Sequence, residues 1–400
     1  MNEGSYTSTE SVTLFPPERP FVMESGRTLA PVTVAYETYG SLNADGDNAV
    51  LVCHALTGNA HAAGFASADP RSAGWWEPLI GPGRGLDTSR YFVVCSNILG
   101  SCYGTTGPVS VNPATGKPYG LDFPQMTVRD MVRLQKALLD HLRVKALRTV
   151  LGGSLGGMQV LEWGVMYPER VRSIIPIGTA AQHSPWCIGL NDIARQAIMN
   201  DPAWHGGWYE LSAQPRAGLS LARQVAMMSY RSDVSFLARF GRERQSPAES
   251  GRRSEFGGAA GTIRASEEKG PPSLGEAGNA RFDFTNLFKV ESYLRYQGDK
   301  LVNRFDANTY IAISRAMDLH DVAVGRGDVR EVLSGLQMPA LCIGISSDVL
   351  YPVHEQKTIA GMIPRSTYHE ISSPHGHDAF LIEHDQLAAH IRGFLQDNSI

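Results

Sequence analysis

No stretch of this sequence approaches the ~18 consecutive apolar residues that a membrane-spanning helix requires, so no membrane partner is expected. Residues 1–20 are polar and contain prolines, with no apolar segment behind a basic start, and do not read as a secretory signal. Charge of one sign is not in excess either. The chain has 36 Lys and Arg against 40 Asp and Glu, a formal net charge of -4, which leaves no basic footprint for nucleic acid. Cysteine is scarce. Cys53, Cys95, Cys102, Cys187 and Cys342 are odd in number and lack metal-ligand spacing. Cys53, Cys95 and Cys342 lie in apolar strand-like runs, where a small buried hydrophobe is the expected role. Reduced thiols and a reducing, cytoplasmic compartment follow as expectations. Internal repeats are missing as well, which sets solenoids aside.

What is present is enough apolar material for a large core. Hydrophobic residues make up 42% of the 400, which suits one large core plus an insertion. Short apolar β-rich runs alternate with helical patterns, the mark of a parallel sheet covered by helices. Ala49-Val50-Leu51-Val52-Cys53, Tyr91-Phe92-Val93-Val94-Cys95, Thr149-Val150-Leu151, Ser173-Ile174-Ile175-Pro176-Ile177 and Ala340-Leu341-Cys342-Ile343-Gly344-Ile345 read as strands. Residues 127–142 place Val128, Met131, Val132, Leu138, Leu139 and Leu142 on one helical face, with Thr127 and Asp130 as a capping pair. The alternation stops after about Ser184 and resumes near Met338. The expected organisation is therefore a first core part over residues 1–184, a helical lid insertion over 185–325, and a second core part over 326–400. Within the insertion, residues 245–280 are rich in Gly, Ser, Pro, Glu and Arg, a composition that predicts a mobile loop.

Chemistry enters at Gly152-Gly153-Ser154-Leu155-Gly156, set between a strand and the helical run Met158-Gln159-Val160-Leu161-Glu162-Trp163. A serine on a tight strand-to-helix turn needs small neighbours and gains from the helix N-terminus beneath it. A Gly-rich turn without chemistry, or one that binds phosphate, is the plainer alternative. The turn continues Ser-Leu-Gly-Gly rather than Gly-Lys-Ser/Thr, which excludes a P-loop. The strand-turn-helix context instead predicts the nucleophile elbow of an α/β-hydrolase fold, a mostly parallel central sheet with Ser154 as nucleophile.

A serine at its free pKa is a poor nucleophile, so a base and an orienting acid are required. In this fold they follow in the order acid, then His, just past strand ends. Asp348 follows Ile343-Gly344-Ile345-Ser346-Ser347, and His377 follows Tyr368-His369-Glu370-Ile371 through a short loop. His375 competes as base; the flanking Gly376 and the helix-starting Asp378-Ala379-Phe380 favour His377. The N–H groups of Leu155 and of a residue in the loop after Cys53, taken as Leu56, are the expected oxyanion donors. His54 in that loop reads as a structural histidine.

Several further segments resemble the homoserine O-acyltransferase family. They are Val52-Cys53-His54-Ala55-Leu56-Thr57-Gly58, Gly74-Trp75-Trp76, Gly100-Ser101-Cys102-Tyr103-Gly104, Ser229-Tyr230-Arg231-Ser232, Glu291-Ser292-Tyr293-Leu294-Arg295-Tyr296-Gln297, Arg304-Phe305-Asp306-Ala307-Asn308 and Gly376-His377-Asp378-Ala379-Phe380-Leu381. The likeness runs from about residue 20 to the C-terminus; residues 245–280 depart from the family's compact form. The resemblance implies acetyl transfer from acetyl-CoA to L-homoserine by a ping-pong route, with acetyl-CoA a substrate and no bound cofactor or metal. It assigns Arg223, Tyr230 and Asp378 to the amino-acid acceptor and implies a homodimer through the lid. Succinyl-using relatives carry an Arg two residues after the triad Asp. Leu350 stands there in this chain and points to acetyl. Transfer to serine, transfer from succinyl-CoA, plain serine-ester hydrolysis and a non-catalytic scaffold are the rival readings.

Overall fold

The computed structural model describes residues 6–244 and 288–400. Its centre is an eight-stranded sheet of β1 (Glu10–Leu14), β2 (Val32–Tyr39), β3 (Ala49–Cys53), β4 (Phe92–Ser96), β5 (Leu147–Gly153), β6 (Ile174–Ile177), β7 (Ala340–Ile345) and β8 (Ser366–Ile371). The spatial order is β1-β2-β4-β3-β5-β6-β7-β8. β2 runs antiparallel to both β1 and β4, and every other neighbouring pair is parallel. β3 and β7 are buried along their whole length. Sheets covered on both faces produce such continuous apolar runs instead of alternation. Alternate residues of one strand accordingly enter different clusters: Leu51 packs with Met131, Leu138 and Trp163, while Val50 and Val52 pack with Trp76, Leu79 and Ile391.

On the first face lie α1 (Val128–His141) and α2 (Leu155–Met166). Thr127 and Asp130 close the predicted capping box at the start of α1, and Asp130 also accepts the N–H of Glu24 at 2.8 Å. α2 is buried from Leu155 to Gly164 and carries Glu162, whose carboxylate is held by Arg129 at 3.1 Å and Arg326 at 2.7 Å. A charge this deep is tolerated because both oxygens are paired.

Between β6 and β7, no strand of the sheet occurs among the described residues. The chain there forms α3 (Pro185–Met199), α4 (Arg216–Tyr230), α5 (Asp233–Phe240), α6 (Lys289–Val302) and α7 (Ala307–Asp318). Residues 245–280, expected to be a mobile loop, lie outside the described residues. α3 packs on α4, and α4 on α6. The chain leaves and re-enters the core side by side, with Gln182 bridging Asp321. α8 (Val329–Ser334), α9 (Val353–Met362) and α10 (His384–Asp397) complete the layers. Among the described residues no helix is long and apolar enough to cross a membrane.

Candidate active site

β5 ends at Gly153 and α2 starts at Leu155, so Ser154 alone makes the turn. Its backbone has φ 60 and ψ -126, a conformation that costs a non-glycine residue roughly 1–3 kcal/mol. Four hydrogen bonds hold it there. The Ser154 N–H donates to the carbonyls of Ile177 at 3.0 Å and Gly178 at 3.2 Å. Its own carbonyl accepts from Thr179 Oγ1 at 2.8 Å and from the Met158 N–H at 3.2 Å. The glycines around it are needed because neighbours press in from both sides. A Cβ on Gly152 or Gly156 would run into the Cys53 carbonyl of β3, and one on Gly153 would lie 2.7 Å from the Phe380 ring. The close approach is thus to the neighbouring strand as much as between β5 and α2.

Asp348 follows β7 directly. Its Oδ1 accepts the N–H groups of Leu350 at 2.8 Å and Tyr351 at 2.9 Å, and its Oδ2 accepts His377 Nδ1–H at 2.7 Å. The two side chains are 0% and 3% exposed. His377 lies in a short 3₁₀ segment, Gly376–Leu381, that follows β8. Burial alone would lower the His377 pKa. The adjacent Asp348 carboxylate outweighs it and raises the imidazole above its ordinary value. With Nδ1 committed to Asp348, the lone pair sits on Nε2, which is buried and has no hydrogen-bond partner among the described residues.

Gly178, past the end of β6, joins the three groups. Its carbonyl accepts the Ser154 N–H, and a Cβ there would lie 3.4 Å from Asp348 Oδ2 and 3.6 Å from His377 Cε1. His375, the competing base, hydrogen-bonds to no carboxylate among the described residues; its N–H donates to Ser373 Oγ.

Leu155 is the first residue of α2, so its N–H has no intrahelical acceptor. Leu56 lies in the turn after β3. Among the described residues neither N–H donates to a backbone carbonyl outside its own element. His54 uses both ring nitrogens structurally: Nδ1–H donates to the Ala55 carbonyl at 2.8 Å, and Nε2 accepts the Ile98 N–H at 3.3 Å. Burial keeps it neutral, with a pKa lowered to about 4.

The end of α4 rests on the His377 loop. A Cβ on Gly376, whose φ is +69, would lie 2.7 Å from the Ser232 N, and Ser232 Oγ donates to the Pro374 carbonyl. This seam brings Arg223, Tyr230 and Asp378 beside the imidazole. The Arg223 guanidinium lies 5.4 Å from the Tyr230 ring centre, and that ring 5.7 Å from the His377 ring. Burial pushes the Tyr230 hydroxyl up to about 12. Burial also raises the half-buried Asp378 carboxyl, against the pull of Arg223 and Arg231. Arg231 had no role assigned from sequence, yet its Nε stands 3.5 Å from Asp378 Oδ2. The signal available was its place in the segment Ser229-Tyr230-Arg231-Ser232, next to Tyr230; its backbone is extended just after α4. Leu350 is buried and, with Cys187, Tyr230 and Tyr351, lines a cavity of about 20 Å³. That is room for about one water molecule. Among the described residues no His, Cys, Asp and Glu group is arranged to hold a metal ion.

This fold and site define a class. The family model for the alpha/beta hydrolase fold matches residues 48–383, and the chain is an α/β-hydrolase-fold protein. It is 52% identical over 379 residues to a homoserine O-acetyltransferase of Moorella thermoacetica, covering 94% of this chain and 93% of that one. A crystal structure of homoserine O-acetyltransferase from Bacillus anthracis superposes with a TM-score of 0.83 at 29% identity, covering 98% of each chain. The structure of esterase E22 superposes with a TM-score of 0.82 at 26% identity over 97% of this chain and 100% of that one. The chain belongs to the homoserine O-acetyltransferase family of acyltransferases.

Proposed function

We propose that this protein transfers an acetyl group from acetyl-CoA to the hydroxyl of L-homoserine by a ping-pong mechanism, as a step of methionine biosynthesis. The observation that carries the proposal is the 2.7 Å contact between His377 Nδ1 and Asp348, which leaves a buried Nε2 without a partner among the described residues, with the His377 ring and the Ser154 turn both against Gly178. In the first half-reaction Ser154 Oγ attacks the thioester carbonyl while His377 Nε2 takes the hydroxyl proton. The tetrahedral oxyanion receives the N–H groups of Leu56 and Leu155, each worth about 3 kcal/mol in the barrier. Collapse expels coenzyme A, which receives the proton from His377. In the second half-reaction His377 deprotonates the acceptor hydroxyl, which attacks the acetyl-serine; the tetrahedral intermediate collapses, His377 returns the proton to the leaving Ser154 Oγ, and O-acetylhomoserine departs.

Arg223 suits a bidentate pair with the acceptor carboxylate, and Asp378 suits its ammonium. A neutral Leu350 offers nothing to a distal succinyl carboxylate, which favours acetyl over succinyl. The chemistry calls for no bound cofactor, acetyl-CoA being consumed as a substrate. A homodimer through the helical insertion and a cytoplasmic location belong to the same proposal. Trp186 at 62% and Leu237 at 71% exposure give the insertion apolar surface for a second copy.

Hydrolysis is the second reading, favoured by the likeness to esterase E22. A coenzyme A release assay separates them, run with acetyl-CoA or succinyl-CoA, with and without homoserine or serine, beside Ser154→Ala. Release that needs acetyl-CoA and homoserine together and vanishes in the variant supports the transferase. Release with no amino acid present makes water the acceptor and replaces the transferase reading.

A further inference from the structure

The connector between α6 and α7 reaches out of the helical insertion and touches the loop that carries Leu56. Arg304 Nη1 donates to the Thr57 carbonyl at 2.7 Å and to the Tyr103 hydroxyl at 2.6 Å. Its Nη2 lies 3.4 Å from Thr57 Oγ1. The same connector places Phe305 against Tyr103, with ring centres 5.8 Å apart, and Asp306 as the N-cap of α7. Arg304 is therefore anchored on both sides although its side chain is open to solvent.

Among the described residues the loop is otherwise tied down from within the core. The Ala55 carbonyl accepts from His54 Nδ1 at 2.8 Å and from the Gly58 N–H at 2.9 Å. The Ala60 N–H donates to Asn97 Oδ1 at 2.7 Å. The Ala55 carbonyl and the Leu56 N–H belong to one planar trans peptide unit, so holding the carbonyl aims the N–H the opposite way. That plane still tilts about Ala55 ψ and Leu56 φ, and it shifts with the path of residues 56–58 unless that stretch is held on its far side. The Thr57 carbonyl is that far side, and it accepts a charged hydrogen bond from a guanidinium of the insertion.

We infer that Arg304 is a positioning residue that sets the direction of the Leu56 N–H, so that the seating of the helical insertion controls the oxyanion site. The inference rests on the assignment of Ser154 as nucleophile and Leu56 as oxyanion donor. It makes one chain segment serve two sites, since the insertion that carries Arg223 and Tyr230 also tensions the loop facing the acyl group. An electrostatic donor works only where the oxyanion forms, and small displacements cost large rate factors.

The test uses the full-length enzyme with Arg304→Ala and Arg304→Lys. Acylation of Ser154 is followed with acetyl-CoA and with p-nitrophenyl acetate, which lacks the coenzyme. Affinity for a trifluoromethyl ketone, which binds as a tetrahedral oxyanion, is measured alongside. The expected result for Arg304→Ala is a roughly ten- to a hundredfold loss of kcat with both donors, an equal loss of ketone affinity, and unchanged KM and melting temperature. Arg304→Lys, which keeps one donor for the Thr57 carbonyl, recovers part of the loss; it also serves as the readable variant if the alanine form does not fold. Unchanged acylation with both donors overturns the inference. So does a loss confined to KM for acetyl-CoA, which would make Arg304 a contact for the coenzyme. A Ser154→Ala enzyme that still acylates would instead bring down the nucleophile assignment itself.

Discussion

Asp348 and His377 are 29 residues apart in the chain and 2.7 Å apart in space, with the carboxylate's other oxygen already saturated by two backbone N–H groups. That saturation locks the Asp348 side chain, so it faces His377 with one oxygen and one direction. The imidazole is thereby held in the tautomer that leaves Nε2 free, and its pKa is raised above the ordinary histidine value.

Two consequences can be measured together. Asp348→Asn removes the charge and can present an N–H to Nδ1, favouring the wrong tautomer. The expected loss in kcat is roughly a thousandfold or more. Because the base works only when neutral, kcat/KM of the parent rises with pH through the His377 pKa, with a midpoint above about 6.5. In the Asn variant the raising charge is gone and the midpoint moves down. A pH profile with an acid limb well below the ordinary histidine range in the parent would show that another group titrates.

Gly156→Ala places a methyl against the Cys53 carbonyl, which belongs to a fully buried strand and has nowhere to move. Destabilisation of about 1–3 kcal/mol is expected, seen as a lowered midpoint in urea unfolding. Gly393→Ala is the matched control. It sits inside α10 with nothing within 4 Å of the added carbon, and gains up to about 1 kcal/mol from helix propensity.

Arg223→Ala should leave the donor half-reaction alone and weaken only the acceptor. Losing a charged hydrogen-bond pair of about 1.5–3 kcal/mol raises KM for homoserine roughly ten- to a hundredfold. Single-turnover acylation by acetyl-CoA, measured separately, should match the parent. A slowed acylation would move Arg223 from acceptor recognition to the donor step.

Leu350→Arg tests acyl selection. The cavity beside Leu350 holds about 20 Å³, too little for a guanidinium, so the new side chain must displace Cys187, Tyr230 or Tyr351 or turn toward the acyl group. Acetyl transfer should fall, the succinyl-to-acetyl ratio of kcat/KM should rise, and the melting temperature should drop. An unchanged ratio in a folded variant would remove Leu350 from donor choice.

Much of this could be read along the chain. The elbow is local: a strand, small residues, a serine and a helix within a dozen positions create the strained turn wherever they fold. The runs at Ala49–Cys53 and Ala340–Ile345 match β3 and β7 end to end, because strands covered on both faces are apolar throughout. Thr127 and Asp130 announced the start of α1 for the same reason, since a capping box is closed by residues three apart. β1 and β2 were not visible that way. β1, Glu-Ser-Val-Thr-Leu, is an exposed edge whose strand character comes from pairing with β2, not from burial of its own side chains.

The remaining decisions depended on which distant segments the core brings into register. The flanking Gly376 and Asp378-Ala379-Phe380 favoured His377 over His375, but its 2.7 Å contact with Asp348 is made only by the fold. Arg231 meets Asp378, and Arg304 meets Thr57 across 247 residues; these residues lie in segments that resemble the family, but nothing in the segments says which distant group each side chain meets. The physical reason is one of range. Turn geometry, capping and strand burial are set by near neighbours and a repeating period, so residue order records them. A side chain's partner across the fold is set by the summed packing of the sheet, α4 and the His377 loop, and that sum exists only once the chain has closed around it.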